Sequence, residues 1–158
     1  MTDRHVFLLQ RVQPAMTGLI DGSLSTLAPI FAIVLHTHNT FNAFIAGVAT
    51  AIGAGISMAF SEGLSDTGEL TGRGNPFVRG SITGVGTFLG GILHTLPFLI
   101  SSYHVALSVA IGVVAFELLA LAWLRWRFFE VGFIRALASV TLGGVIIAAV
   151  SAALGTAG

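Results

Sequence analysis

Long apolar segments, separated by short polar ones, make up most of this 158-residue chain. The apolar segments lack the alternation of apolar and polar positions that marks a half-buried strand, and each is close to the roughly 20 residues that a helix needs to cross a bilayer core. The pattern therefore predicts an all-α integral membrane protein that forms a single domain over residues 1–158. We expect five transmembrane helices, at about 15–37, 42–64, 80–101, 104–124 and 136–156.

The composition supports a membrane protein and excludes several soluble classes. Hydrophobic residues make up 54% of the chain and charged residues only 9%, whereas an ordinary soluble domain carries roughly 25% charged residues. Seven arginines balance seven acidic residues without forming a basic stripe, so we expect no nucleic-acid partner. The chain has no cysteine, which excludes thiolate metal sites and cysteine nucleophiles. We expect a protein that is not an enzyme.

The arginines also predict an orientation. With five helices, all seven arginines fall on one side of the membrane, in the N-terminal segment and in the loops 65–79 and 125–135. The positive-inside rule places that side in the cytoplasm, so we expect the N-terminus inside and the C-terminus outside. Residues 1–14 show no cleavable signal peptide, so the first helix itself would direct insertion. Because lysine is absent, which is typical of GC-rich bacterial genomes, we expect a multi-pass protein of the bacterial inner membrane.

Two acidic residues and a methionine lie at similar depths in the predicted helices. Counted from the predicted helix ends at 1.5 Å per residue, Asp21, Glu117 and Met58 are each roughly 10 Å from the cytoplasmic boundary. Glu62, one turn beyond Met58, would face the cytoplasmic mouth. An ionisable group inside a membrane is costly, which makes it a candidate functional residue. Carboxylate oxygen and thioether sulfur at one depth suit a divalent transition metal such as Fe²⁺ or Mn²⁺ better than Na⁺ or Ca²⁺.

Some of these features also have ordinary structural interpretations. A methionine in a transmembrane helix commonly faces lipid or the core, and a hydroxyl commonly bonds to its own helix backbone. Glu117 fits a structural pairing as well as a functional role. The small residues of the second helix are typical of close packing, within one protomer or between subunits. They recur at every fourth position: Ala43, Gly47, Ala51, Gly55, Ala59 and Gly63.

The histidines leave several interpretations open. His94 would lie buried near the outer end of the third helix, whereas His36 and His38 follow the outer end of the first. They could form a metal exit or a proton relay, because an imidazole exchanges protons near neutral pH, or they could be interfacial residues without a ligand role. His94 could also bind haem together with His36, His38 or His104, as in a membrane cytochrome subunit.

Two segments resemble a known family. GLIDGSLSTLAPIFA (18–32) and GAGISMAFSEGLS (53–65) are similar to the first-helix Asp-Gly motif and the second-helix G-x-x-S-M-x-x-x-E motif of the vacuolar iron transporter family. The similarity is greatest to the membrane domain of bacterial membrane-bound ferritin-type iron exporters. The resemblance implies a five-helix protomer, a homodimer with the ion path between its subunits, and export of Fe²⁺, often also Mn²⁺, against proton entry. By position it implies that Asp21, Met58 and Glu62 belong to the metal path.

The loop after the second helix departs from the plant and protist members of that family. In those proteins a longer insertion forms a cytoplasmic helical domain that collects metal, whereas here the loop is short and its acidic residues are Asp66 and Glu69. We therefore expect metal to enter past Glu62, Asp66, Glu69 and Glu130, or to be delivered by a ferritin-like or other iron-supplying protein.

These observations lead to one principal hypothesis and two alternatives. We expect a secondary transporter that exports Fe²⁺ or Mn²⁺ in exchange for protons, with Asp21, Met58, Glu62 and Glu117 on the metal path and no permanently bound cofactor. Competition between a proton and the metal for Asp21 would couple the two flows. The alternatives are a haem-binding cytochrome subunit and a membrane scaffold without transport activity.

Overall fold

The structure is a computed structural model that describes residues 3–69 and 71–156. Five long helices account for most of this part of the chain, which confirms the predicted helix count, and it contains no strand. The helices are α1 (Asp3–Thr37), α2 (Thr40–Ser65), α3 (Pro76–Leu93), α4 (Tyr103–Phe129) and α5 (Phe133–Thr156). A short 3₁₀ helix, Leu96–Leu99, lies between α3 and α4.

The outer surface is compatible with a multi-pass membrane protein. Among the residues described, α1, α2, α4 and α5 are long and apolar enough to cross a membrane. Large apolar side chains such as Leu64 and Phe116 are exposed on the outside of the bundle. Helix α3 is shorter, and its glycines, threonines and Arg79 lower its hydropathy. That α3 also spans the membrane stays a prediction.

Several helix ends differ from the predicted ones. The helix predicted at 80–101 ends at Leu93, because Pro97 has no N–H and its ring would clash with the carbonyl group four residues earlier. The helix predicted at 104–124 continues to Phe129, since Arg and aromatic side chains do not themselves interrupt a helix. Asparagine side chains cap two helix starts, with Asn39 accepting from the Asn42 N–H and Asn75 from the Val78 N–H.

Helix α1 is longer than predicted and is irregular at two places. It begins at Asp3 rather than near residue 15, and its π-helical turn, Leu8–Val12, comes just before Pro14. A second interruption separates Gln13–Ser25 from Leu27–Thr37. It falls at Thr26, three residues before Pro29, which cannot donate a backbone hydrogen bond to the Ser25 carbonyl. Both irregularities are therefore next to a proline.

Helix α3 packs between α1 and α2 through glycines. A Cβ atom on Gly84 would lie 2.6 Å from the carbonyl oxygen of Gly55 in α2, and one on Gly90 would lie 2.6 Å from that of Leu19 in α1. At such contacts the helix backbones touch directly. The small-residue row of α2 thus packs within the protomer, where Ala51 also lies beside Gly91.

The arginines gather at one end of the bundle. Gln10, near the start of α1, donates a hydrogen bond to the Gly72 carbonyl in the α2–α3 loop. Arg4 lies 3.9 Å from Glu130, which follows α4. The rings of His38 and Tyr103 lie 4.7 Å apart at the opposite end. The N-terminal part of α1, the α2–α3 loop and the α4–α5 turn therefore share one end.

Candidate functional site

Asp21 and Met58, predicted to meet, line one open cleft of about 540 Å³. Asp21 is half-buried on α1, and Met58 is half-buried on α2. Thr17 and Ser25 flank Asp21 because residues four apart lie on one face of a helix. Three apolar side chains complete the lining: Ile20, Leu24 and Ile147. We call this the Asp21–Met58 cleft.

The cleft alone does not form a complete metal site. Within residues 3–69 and 71–156, no group of three or more His, Asp or Glu side chains could hold a metal ion. Asp21 supplies a carboxylate and Met58 a thioether sulfur, two ligand types that together suit a transition metal. A single protomer would thus leave most coordination positions to water or to a second subunit.

A second polar group, which we call the buried triad, consists of Thr26, His94 and Glu117. Nδ1 of His94 lies 2.9 Å from Oε2 of Glu117, and Nε2 lies 2.6 Å from the hydroxyl oxygen of Thr26. The Thr26 hydroxyl is also positioned to donate to the carbonyl of Gly22, at 2.8 Å. Thr26 and His94 are fully buried, and 6% of Glu117 is exposed. The other oxygen of Glu117, Oε1, is buried without a hydrogen-bond partner among the described residues.

The triad combines side chains from two helix breaks and one continuous helix. Thr26 lies at the break in α1, and His94 directly follows the last residue of α3. Glu117 lies near the middle of α4. Because Thr26 and His94 each precede a proline by three residues, the two helix breaks place both side chains in the interior.

Glu117 lies apart from the site to which its predicted depth assigned it. It does not line the Asp21–Met58 cleft, and its Oε2 is bound to His94. Helix α4 continues to Phe129, so Glu117 lies roughly 18 Å from the end of that helix. Thr26 was not predicted as a site residue, and its position before Pro29 was the available signal.

Glu62 and Asp66, predicted as acidic entry residues, are bound to two arginines. Arg79 donates to Oε1 of Glu62 at 2.9 Å and to Oδ1 of Asp66 at 3.1 Å. Arg73 donates to the same carboxylates, at 2.6 Å and 3.1 Å. The charges of both acids are therefore balanced within the protomer.

The surroundings of Asp66 favour its ionised form. Desolvation raises the pKa of the Asp66 carboxyl, but hydrogen bonds from Arg79, the Gly68 N–H and Thr71, with the charge of Arg79, outweigh it and hold that pKa below its usual value. Asp66 thus remains a carboxylate in an ion-pair network.

The remaining predicted residues lie on the surface. Glu69 is exposed, and 85% of the Glu130 side chain is exposed beside Arg4. His36 and His38 are exposed at the end of the bundle opposite the arginines. Among the hydrogen bonds of the described residues, none joins either histidine to His94.

Comparisons with protein-family models, with curated proteins and with solved structures found no match to this chain.

Proposed function

We propose that this protein is a secondary transporter that exports a divalent transition metal, Fe²⁺ or Mn²⁺, from the cytoplasm in exchange for protons. The observation that carries the proposal is the Asp21–Met58 cleft, where a carboxylate and a thioether from two helices face one space. An acidic side chain on a long apolar helix is costly unless it has a task or a partner. The motifs that resemble the vacuolar iron transporter family contain these same two residues.

A homodimer would complete the metal site. In one protomer the cleft is open and offers one carboxylate and one sulfur. A two-fold axis beside the cleft would bring two Asp21 and two Met58 side chains together, because an isologous interface presents the same patch from both subunits. It would also remove Asp21 from lipid. We therefore propose that the metal crosses the membrane between two subunits.

Metal would enter from the arginine-rich end, which the positive-inside rule assigns to the cytoplasm. Since Glu62 and Asp66 are already paired with Arg73 and Arg79, capture there would depend on Glu69 and Glu130 or on a ferritin-like or other iron-supplying partner. Such a partner would release metal directly at the mouth of the path. We propose a bacterial inner-membrane location.

The arrangement of His94 disfavours the cytochrome alternative. A haem iron needs a ring nitrogen as ligand, but both nitrogens of His94 lie within hydrogen-bond distance of Thr26 or Glu117. A scaffold without transport activity would leave the polar face around Asp21 without a role. Neither alternative is favoured by a specific feature of the bundle.

The proposal is tested by metal uptake into proteoliposomes containing the purified protein. We expect uptake of Fe²⁺ and Mn²⁺, and poor uptake of Ca²⁺, because a thioether favours softer cations. Asp21→Asn should slow uptake of both metals by tenfold or more. Removing a residue that only supports a metal ligand typically lowers metal affinity or activity by roughly 10–100-fold, and removing the ligand itself should have at least that effect. Met58→Leu should reduce the preference for Fe²⁺ over Ca²⁺.

Asp3→Asn is the matched control, because it makes the same change at an exposed aspartate to which the proposal gives no role. Its uptake rate should equal that of the wild type. Unchanged uptake in both Asp21→Asn and Met58→Leu would remove the cleft from the metal path.

A further inference from the structure

The buried triad contains two titratable side chains, His94 and Glu117, that the Asp21–Met58 cleft does not use. We infer that Thr26, His94 and Glu117 form a one-proton binding site that carries the counter-ion of metal export. This inference rests on the proposed function, and it assigns proton and metal to two separate sites in one protomer. The cleft holds the metal, and the triad holds the proton.

The hydrogen-bond geometry defines two states that differ by one proton. In the loaded state the Thr26 hydroxyl donates to the Gly22 carbonyl, so Nε2–H of His94 must donate to the Thr26 oxygen. One further proton lies between Nδ1 of His94 and Oε2 of Glu117. The pair then has no net charge, whether it is an ion pair or two neutral groups.

Loss of the Nε2 proton gives the unloaded state. The Thr26 hydroxyl turns from the Gly22 carbonyl and donates to the bare Nε2, while Nδ1–H donates to the Glu117 carboxylate. One proton leaves, no covalent bond between heavy atoms changes, and the net charge of the pair falls from zero to minus one. Both ring nitrogens keep a hydrogen bond in both states, so the exchange leaves no orphaned nitrogen.

Charge favours the loaded state until a cation arrives. A net negative charge buried among three helices is unfavourable without compensation. Asp21 and Thr26 are both on α1, five residues or roughly 8 Å apart along its axis, and they face the cleft and the triad respectively. A divalent cation at Asp21 would stabilise the unloaded triad, because opposite charges attract each other strongly in a low dielectric. Metal binding would thus release the proton.

The other charged groups on the packed helices belong to other sites. Arg79, the charged residue of α3, is held by Glu62 and Asp66. On α4, the remaining charged or titratable side chains lie towards its ends: Tyr103, His104, Arg125 and Arg127. On α1, one charged side chain, Asp21, lies in the cleft. The other charged or titratable side chains of α1 lie towards its ends: Asp3, Arg4, His5, Arg11 and His36. Helix α2 carries Glu62 and α5 carries Arg135 at their arginine-rich ends.

The transport test separates proton movement from metal movement. Exchange of radioactive Mn²⁺ for unlabelled Mn²⁺ across a proteoliposome membrane needs no net proton transfer, whereas Mn²⁺ accumulation driven by a proton gradient does. We expect Glu117→Gln and His94→Gln to keep exchange but to lose accumulation by about a hundredfold, the loss typical of removing a proton-transfer group. Asp21→Asn should lose both activities, and the exposed control His104→Gln should keep both.

Two results would overturn the inference. One is proton-driven accumulation by Glu117→Gln at the wild-type rate. The other is the loss of exchange together with accumulation in a variant whose helix content and melting temperature are unchanged, because the triad would then serve the metal path or its packing.

A spectroscopic experiment tests the triad independently of transport. If the wild-type protein transports no metal, the proposed function is wrong, but the spectra still show whether the triad binds a proton. In nitrogen-15 spectra of the histidine rings, the His94 signals are assigned by their loss in His94→Gln. We expect Nε2 of His94 to lose its proton as pH rises, and the change to be absent in Glu117→Gln. A His94 Nε2 whose protonation is the same at every pH at which the protein remains folded would rule out the proton site.

Discussion

Arg79 is almost completely buried although it carries a permanent charge, with 1% of its side chain exposed. Its guanidinium is satisfied by the carboxylates of Glu62 and Asp66, and it also approaches the Glu62 carbonyl at 3.3 Å. A buried charge is tolerated when its partners and hydrogen bonds are all in place, and removal of one partner is strongly destabilising. The network therefore fixes the end of α2 against the start of α3.

Replacing Arg79 should therefore lower stability, and the loss should depend on pH. We expect Arg79→Gln to lower the melting temperature in detergent by roughly 5 °C or more at neutral pH. Because the pKa of Asp66 is lowered in the folded protein, its contribution is present above the unfolded value of about 3.9 and is lost as pH falls below it. The difference in melting temperature between the wild type and Arg79→Gln should therefore become smaller below about pH 4.

Arg11→Gln, which changes an exposed arginine at the same end, is the control and should melt within about a degree of wild type, since surface pairs contribute little. If the difference in melting temperature between the wild type and Arg79→Gln stays constant from neutral to acid pH, the role given to Asp66 is wrong.

At the scale of the helices, close approach depends on missing side chains. Gly84 lies against the backbone of Gly55 and against Ala59, whereas Gly53, in the same helix as Gly55, has no neighbour within 4 Å of where its Cβ would lie. A methyl group at Gly84 would meet backbone atoms that cannot rotate away, so α2 and α3 would have to separate.

Gly84→Ala should thus destabilise the bundle and Gly53→Ala should not. Overpacking typically costs about 1–3 kcal/mol, which outweighs the gain in helix propensity of about 1 kcal/mol for Gly→Ala. Thermal unfolding of the two variants in detergent checks this. If Gly84→Ala and Gly53→Ala change the melting temperature equally, direct backbone contact does not hold α3 against α2.

The presence of the helices could be predicted from hydropathy alone, but the residues at which they end could not. The end of α3 at Leu93 depends on Pro97, and the extension of α4 to Phe129 depends on residues that suit both water and an interface. The meeting of Asp21 and Met58 followed from spacing along two helices. The buried triad could not be placed in this way, because Thr26 and His94 lie at helix breaks, which spacing along a continuous helix does not show.

At the scale of the whole molecule, the cleft that holds Asp21 opens on the outside of the protomer. Surrounded by lipid, that carboxylate would be unfavourable by about 2.5–3.5 kcal/mol. A second copy on the same face would cover it and supply a second carboxylate and sulfur. The proposed dimer would thus explain both the open cleft and the polar face of α1.

A dimer across the cleft predicts which surface positions cross-link. Because the chain has no cysteine, a single introduced cysteine gives an unambiguous product with a short thiol-reactive cross-linker. Thr17→Cys, at an exposed position that lines the cleft, should form covalent dimers in native membranes. Val85→Cys, which is 58% exposed on α3, should remain monomeric. The opposite pattern would place the interface on another face.

Proton movement in response to metal tests the central claim most directly. Proteoliposomes containing a pH-sensitive dye are given Fe²⁺ on one side, and the pH of the lumen is followed for wild type and Asp21→Asn. The account predicts a pH change with wild type that depends on Fe²⁺, and a change at least tenfold slower with Asp21→Asn, as expected when a metal ligand is lost. An equally fast pH change with both proteins, or none with wild type while the protein is folded, would contradict it.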